Sequence, residues 1–420
     1  MPAPQAPTHQ PDSRYAAFRL LVTILLMTVG SSGMYVVSVV LPAVQADFGI
    51  ARADASLPYT LLMIGFGVGG VLMGRLADRV GVMWPLLIGA LSLGVGYIAC
   101  GMASGIVGFT AAQAVFVGLF GSAAAFAPLV ADTSLWFVKR RGIAVAICAS
   151  GNYIAGAVWP PIVQHFVETV GWRQTYIGMG IFCGVTMAAL ALLMRARPPL
   201  TVPATPSAAT PLHATTAVAD PMRPFGLSLG TAQGMLCVAG VACCVAMSMP
   251  QVHIVAYCGD LGYGAARGAQ MLSLMLAAGI VSRLVSGAIC DRIGGLRTLL
   301  LGSALQCVAL LMFLPFDGLV SLYVVSALFG LFQGGIVPSY AIIVREHFPA
   351  NEAGARVGTV LMFTLLGMAL GGWMSGKVFD LTGSYHAAFI NGIAWNLLNM
   401  TIAVTLLMRT RRRVRAVAAA

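Results

Sequence analysis

An arginine set inside an apolar run is the first residue of this sequence that implies chemistry. Arg283 lies within the apolar stretch 268–288. Placing an arginine at the centre of a membrane helix costs roughly 2.5–3.5 kcal/mol, so such a side chain normally faces a cavity and has a partner. No Asp or Glu stands in the middle of any apolar run to serve as that partner. A guanidinium forms a two-pronged fork with a carboxylate, which makes an anionic ligand its natural complement. The competing reading is snorkelling to the membrane surface. Arg283 precedes Asp291 by eight residues, about 12 Å at ~1.5 Å per residue, which is a long reach for one side chain.

Other polar side chains interrupt the apolar runs: Tyr35, Gln113, Asn152, Tyr153, Gln233, Gln333, Tyr340, Trp373 and Asn396. Tyr35 and Asn152 first, then Gln113 and Gln333, have the donors to hold a carboxylate or orient a substrate hydroxyl. Each alone also fits an ordinary hydrogen bond between helices. His253 and His165 end their runs, and histidine titrates near neutral pH, so either has the chemistry to carry a coupling proton. The alternative is an interfacial histidine in contact with water. Neither has a second ligand at i+3 or i+4, so no metal site is expected. Gly65-x-Gly67-x-Gly69-Gly70 has the spacing of a phosphate loop, but it lies inside an apolar run with no strand before it, and reads as helix packing. No nucleophile triad, Walker motif or P-loop lysine is present. An enzyme, a bound cofactor and ATP-driven work are therefore not expected.

The elements that position these residues follow from composition. Of 420 residues, 59% are hydrophobic and 9% charged, too few charges to coat a soluble globule of this size. Mean hydropathy is +0.89. Apolar runs near 20 residues recur at 19–42, 56–76, 84–103, 106–131, 142–166, 174–194, 227–255, 268–288, 297–315, 319–344, 356–377 and 387–408. The expected fold is all-α and integral to the membrane, with twelve transmembrane helices. An even count puts both termini on one side. Nineteen of the basic residues fall on that side, against four on the other (Arg52, Arg173, Arg267 and Lys377). The positive-inside rule makes the termini cytoplasmic, in an inner or plasma membrane. This asymmetry accounts for the net charge of +11 without nucleic acid.

Residues 1–17 read as a polar tail, and the first apolar run is long enough to be retained as a helix. Residues 18–194 form the first six-helix bundle and 227–408 the second. Between them 195–226, rich in Pro, Ala and Thr, reads as a flexible linker. The basic tail 409–420 meets anionic headgroups of the bilayer. The nine cysteines sit in apolar runs and read as packing residues.

The two halves repeat at an offset of 212–213. Gly74-x-x-x-Asp78-Arg79-x-Gly81 matches Gly287-x-x-x-Asp291-Arg292-x-Gly294. Gly118-Leu119-Phe120 matches Gly330-Leu331-Phe332, and Gly142, Gly171 and Gly180-Ile181 fall on Gly354, Gly383 and Gly392-Ile393. Two six-helix pseudo-repeats with a substrate path between them are a transporter design. On the two Gly-x-x-x-Asp-Arg-x-Gly loops the sequence resembles the major facilitator superfamily. The resemblance implies a conformational latch at Asp78, Arg79, Asp291 and Arg292, with Arg140 and Arg141 among its basic partners. The family's trailing basic pair is replaced by Val82 and Met83 after Gly81, and only Arg297 remains in the second copy.

A narrower resemblance is carried by Trp136-Phe137-Val138-Lys139-Arg140-Arg141-Gly142-Ile143-Ala144, Ser150-Gly151, Pro160-Pro161, Gly171-Trp172-Arg173 and Gly279-x-x-x-Arg283-x-x-x-Gly287. These look like the monocarboxylate and oxalate/formate branch. That resemblance implies that Arg283 binds the substrate carboxylate. Some members carry an Asp where Gly279 stands, and oxalate exchangers carry a second cation mid-helix 11, where this chain has only Lys377 near the end. The expectation is a secondary transporter of a small organic anion, a monocarboxylate, working by alternating access as a monomer, with proton symport and exchange both open. Two other classes remain: an exporter of apolar or cationic compounds, and a membrane sensor with this fold.

Overall fold

A computed structural model describes residues 10–137, 141–197, 223–349 and 352–418. Among these residues no strand is present, and twelve helices are long and apolar enough to cross a membrane. In chain order they are α1 (Arg14–Phe48), α2 (Arg52–Val80), α3 (Met83–Met102), α4 (Ile106–Trp136), α5 (Ile143–Val170), α6 (Trp172–Leu192), α7 (Leu229–Asp260), α8 (Ala265–Ile293), α9 (Gly295–Met312), α10 (Leu319–His347), α11 (Gly354–Thr382) and α12 (Tyr385–Arg411). Each expected apolar run is present as a helix. Most helices outrun their apolar core, because polar caps and headgroup-level residues continue the backbone ladder. Ser13 accepts the N–H of Ala16 at 3.3 Å and starts α1 five residues before the apolar run. Ser228 caps α7 in the same way, accepting from Thr231 at 3.2 Å.

The pseudo-repeat extends to backbone geometry. Gly81 (φ +88°) and Gly294 (φ +83°) close the two Gly-x-x-x-Asp-Arg-x-Gly segments in a conformation that an L side chain rarely adopts. Asp78, Arg79, Asp291 and Arg292 lie on exposed last turns of α2 and α8. Arg140 lies outside the described residues, as do residues 1–9 and 198–222 of the expected tail and linker.

By internal packing the chain divides into two units, Met1–Val40 with Ile64–Ala209, and Leu41–Met63 with Thr210–Ala420. In the first, small residues let helices touch backbone to backbone. A Cβ on Gly180 of α6 would sit 2.7 Å from the carbonyl oxygen of Gly94 on α3. In the second, α7 meets α11 at Gly367 and Gly371, and α8 meets α10 at Gly330 and Gly334. The last residues of the expected linker are ordered here. Phe225, 4% exposed, stacks on His347 with ring centroids 4.5 Å apart, so the chain enters α7 from an anchored position. All nine cysteines are buried and unbridged, as their apolar settings implied.

Candidate functional site

Three of the helices are not continuous, and the candidate residues gather at the interruptions. α1 breaks at Ser31, within Gly30-Ser31-Ser32-Gly33. α4 runs as a π-helix over Gln113–Ser122, turns at Ala125 and Phe126, and restarts with Pro128 in its first turn. α10 breaks at Gly334 and Gly335 and restarts at Ile336, with Pro338 in the new first turn. Proline is tolerated there because those N–H groups have no helical acceptor. Long π segments and broken membrane helices mark functional sites, since they free backbone groups and re-aim side chains.

In the first unit three expected residues attach to α1 near its break. Gln113, at the start of the π segment and 0% exposed, donates to the carbonyl of Gly33 at 3.3 Å and so holds the unwound turn of α1. Its Oε1 accepts from Cys100 at 3.4 Å. Two residues on, Tyr35 donates to Oδ1 of Asn152 at 2.7 Å, joining α1 to α5, and Asn152 Nδ2 approaches the sulfur of Met34 at 3.2 Å. Tyr97 donates to Ser32 at 3.0 Å behind the break. The Oγ of Ser31 is buried with no hydrogen-bond partner.

In the second unit Gln333 ends the first segment of α10. It accepts from Gln251 of α7 at 3.1 Å, while its Nε2 is buried with no hydrogen-bond partner. Arg283 is half-buried on α8. The stripe Met275, Gly279, Ser282 and Ser286 of α8 receives Gly330, Gly334 and Gly335 of α10. Arg283 follows Ser282 by about 100° around the helix, so it projects beside this contact rather than into it. The Oγ of Ser282 is also buried with no hydrogen-bond partner. Arg283 lies ten residues before the end of α8 at Ile293, about 15 Å at ~1.5 Å per residue.

Several expectations are revised. Arg283 is the basic residue furthest inside its helix but not the most buried: Arg19 and Arg52, near the starts of α1 and α2, are 3% and 8% exposed, each with a carboxylate partner. In the sequence Arg19 is the first residue of the first apolar run and Arg52 lies between the first two runs, so neither is marked as a buried residue. Asp132, partner of Arg19, fell one residue past the expected end of the fourth run, although α4 continues to Trp136. His253 is not interfacial. α7 extends to Asp260 and leaves His253 0% exposed, whereas His165 is exposed against Phe166. Arg141 opens the helical segment that includes α5, and its side chain, like Arg140, is outside the description. Gln233 is taken up by a hydrogen bond from Arg356. Tyr340 and Asn396 belong to a buried network through Asn399 and Ser303. Among the described residues, no group of three His, Cys, Asp or Glu side chains is placed to hold a metal.

Comparison with known proteins adds the family. A family model described as the Major Facilitator Superfamily matches residues 23–322 and, in a second overlapping match, 291–420. Monocarboxylate transporter 13 of Rattus norvegicus is 26% identical over 370 residues, covering 84% of this chain and 78% of that protein. MFS-type transporter opdF of Penicillium oxalicum is 26% identical over 302 residues, 70% of this chain and 66% of that one. The solved structure of the peptide transporter POT in complex with sulfate superposes with a TM-score of 0.72 at 13% identity, over 98% of this chain and 97% of that one. At that identity the likeness is one of fold.

Proposed function

The chain belongs to the Major Facilitator Superfamily, and from that premise we propose that it carries a small organic anion, a monocarboxylate, by alternating access. The protein is a multi-pass membrane transporter with twelve spans. The observation that carries the anion reading is the donor set around the break of α10. Gln333 Nε2, at the end of the first segment of α10, is a buried donor without an acceptor, and α8, packed against that break, carries the half-buried guanidinium of Arg283. The second segment of α10 begins at Ile336, and a helix N-terminus favours negative charge. A donor without an acceptor and a cation on the neighbouring helix suit a carboxylate. In this reading Arg283 grips the carboxylate as a fork, and Tyr35, Asn152, Gln113 and Gln333 are the further residues proposed to contact substrate. Sequence similarity to monocarboxylate transporter 13 supports the same class of cargo.

Asp78, Arg79, Asp291 and Arg292, with Arg140 and Arg141, act as the latch on the side of the chain termini, which the excess of basic residues makes cytoplasmic in a plasma or inner membrane. The drive is a gradient of substrate or of protons.

The test is ligand-induced stabilisation of purified protein. A ligand at 100 times its Kd stabilises the folded state by about 2.7 kcal/mol. Lactate, pyruvate, formate and oxalate are scanned against lipophilic cations by thermal unfolding. The proposal expects a rise in Tm with at least one monocarboxylate, lost in Arg283→Ala. A rise with cations alone, unaffected by that substitution, favours the exporter.

A further inference from the structure

By chain order the start of α2 belongs to the first six helices, yet residues 41–63 pack within the unit that contains α7–α12. The hold is electrostatic. Arg52, the first residue of α2, donates through Nη1 to Asp260 at 3.1 Å and to the Tyr385 hydroxyl at 2.7 Å, and through Nη2 to the other oxygen of Asp260 at 3.3 Å. Its guanidinium lies 4.6 Å from the centre of the Phe379 ring. Asp380 of α11 accepts the backbone N–H groups of Arg52 at 2.9 Å and Ala53 at 2.8 Å, and so caps α2 from another helix. Gly376 lets the backbone of Arg52 and Ala53 come within 3.0 Å of where its Cβ would be.

Directly behind this clamp lies His253, 0% exposed. Its Nε2 is 2.8 Å from the carbonyl oxygen of Gly372, and a carbonyl only accepts, so Nε2 carries the hydrogen. In the neutral ring Nδ1 then accepts, from the Tyr385 hydroxyl at 3.1 Å. That hydroxyl spends its one proton on His253 and receives one from Arg52. The bonds run one way, from Arg52 through Tyr385 and His253 to Gly372. A proton on Nδ1 would reverse the Tyr385 bond, leave its hydroxyl proton to find a new acceptor, and set a second cation beside Arg52.

We infer that Arg52 is the bolt of a gate on the face opposite the chain termini, and that His253 is a proton site which the bolt keeps shut. Withdrawal of the first turn of α2 removes Arg52 from Tyr385 and opens the pocket toward Asp260, whose side chain is 39% exposed. Nδ1 then takes a proton from hydronium, leaving water and an imidazolium. The proton binds the released arrangement and is excluded from the bolted one, so falling pH favours release, by at most tenfold per pH unit for one site. The charged and titratable groups around His253 are Arg52 and Tyr59 on α2, Asp260 and Tyr257 on α7, Asp380 on α11 and Tyr385 on α12. On α8, Arg267 turns to Gln270, and Asp317 acts on Tyr257 from the α9–α10 connection. A histidine in water titrates near ~6.5, inside the interval from pH 7.5 to pH 5.5. This inference rests on the alternating-access part of the proposed function and not on its cargo.

The experiment uses the full chain in lipid nanodiscs, with spin labels on Ala51→Cys and Pro315→Cys, both exposed on this face, while the native cysteines are buried. Pulsed electron resonance reads the distance between them at pH 7.5 and pH 5.5. The unmodified gate shows a longer-distance population that grows at pH 5.5. His253→Gln, which keeps a donor and an acceptor, loses that growth. Arg52→Ala is long at both pH values, and Asp260→Asn serves the same purpose should Arg52→Ala not fold. Retention of the pH response in His253→Gln overturns the proton site. A short distance at both pH values in Arg52→Ala and Asp260→Asn overturns the bolt. Transport of no tested acid, with the gate responding as described, removes only the cargo reading.

Discussion

Arg19 and Asp132, 113 residues apart, meet as a two-pronged ion pair inside the first unit. Nε of Arg19 donates to Oδ2 at 3.0 Å and Nη2 to Oδ1 at 3.1 Å, with the two residues 3% and 7% exposed. The guanidinium also stacks 4.7 Å from the Trp136 ring and reaches toward the carbonyl of Met194 beyond α6. One side chain thereby ties α1, α4 and the end of α6 at the level where the chain enters the first bundle.

Breaking that pair strands a buried charge. Removing one partner of such a pair costs about 3–5 kcal/mol, whereas replacing both by apolar residues of similar size is often near neutral. Arg19→Ala and Asp132→Ala are each expected to lower the melting temperature in detergent sharply. The double variant Arg19→Met with Asp132→Leu is expected to recover most of it. Equal damage from the double variant and the single ones would mean that the pair does more than balance its own burial.

The contact between α8 and α10 leaves no room for a side chain at Gly330. A Cβ there would lie 1.8 Å from the carbonyl oxygen of Met275, a backbone atom that cannot move alone. Gly330→Ala is expected to cost at least about 1–3 kcal/mol, read as a loss of monodisperse protein on size exclusion and a lower Tm. Gly178→Ala in α6, where nothing lies within 4 Å, is the matched control and is expected to match or slightly exceed the parent.

How much of this was readable in advance depended on which physical signal each feature leaves. The twelve helices were legible because hydropathy over some twenty residues is a strong signal. The repeat was legible because Gly81 and Gly294 both take a positive φ that an L side chain rarely adopts, which keeps glycine at both places. The breaks of α1, α4 and α10 were not read, though Gly30-Ser31-Ser32-Gly33, Pro128 and Gly334-Gly335 with Pro338 mark them, since a break inside an apolar run leaves its hydropathy unchanged. Tyr35 and Asn152 were named together as candidates, and the structure joins them. Arg52 was missed because its partners, Asp260, Asp380 and Tyr385, are more than 200 residues away, and each, read alone, stands at a helix end.

The Tyr35–Asn152 pair makes a kinetic prediction. Tyr35→Phe removes the hydroxyl that donates to Asn152 Oδ1 at 2.7 Å and keeps the ring. Loss of one hydrogen bond of about 1 kcal/mol is expected to raise the apparent KM for cargo roughly fivefold, with little change in Tm. A lower Tm with an unchanged KM would assign the pair to packing between α1 and α5 instead.

The central claim is that Arg283 reads the negative charge of the cargo. The direct measurement is initial uptake of labelled lactate, pyruvate, formate and oxalate into proteoliposomes, with the parent protein, Arg283→Lys and Arg283→Ala side by side. The account predicts uptake of at least one monocarboxylate by the parent, reduced uptake in Arg283→Lys because the fork is lost while the charge is kept, and none above background in Arg283→Ala with the protein folded. Uptake by Arg283→Ala equal to that of the parent would contradict it.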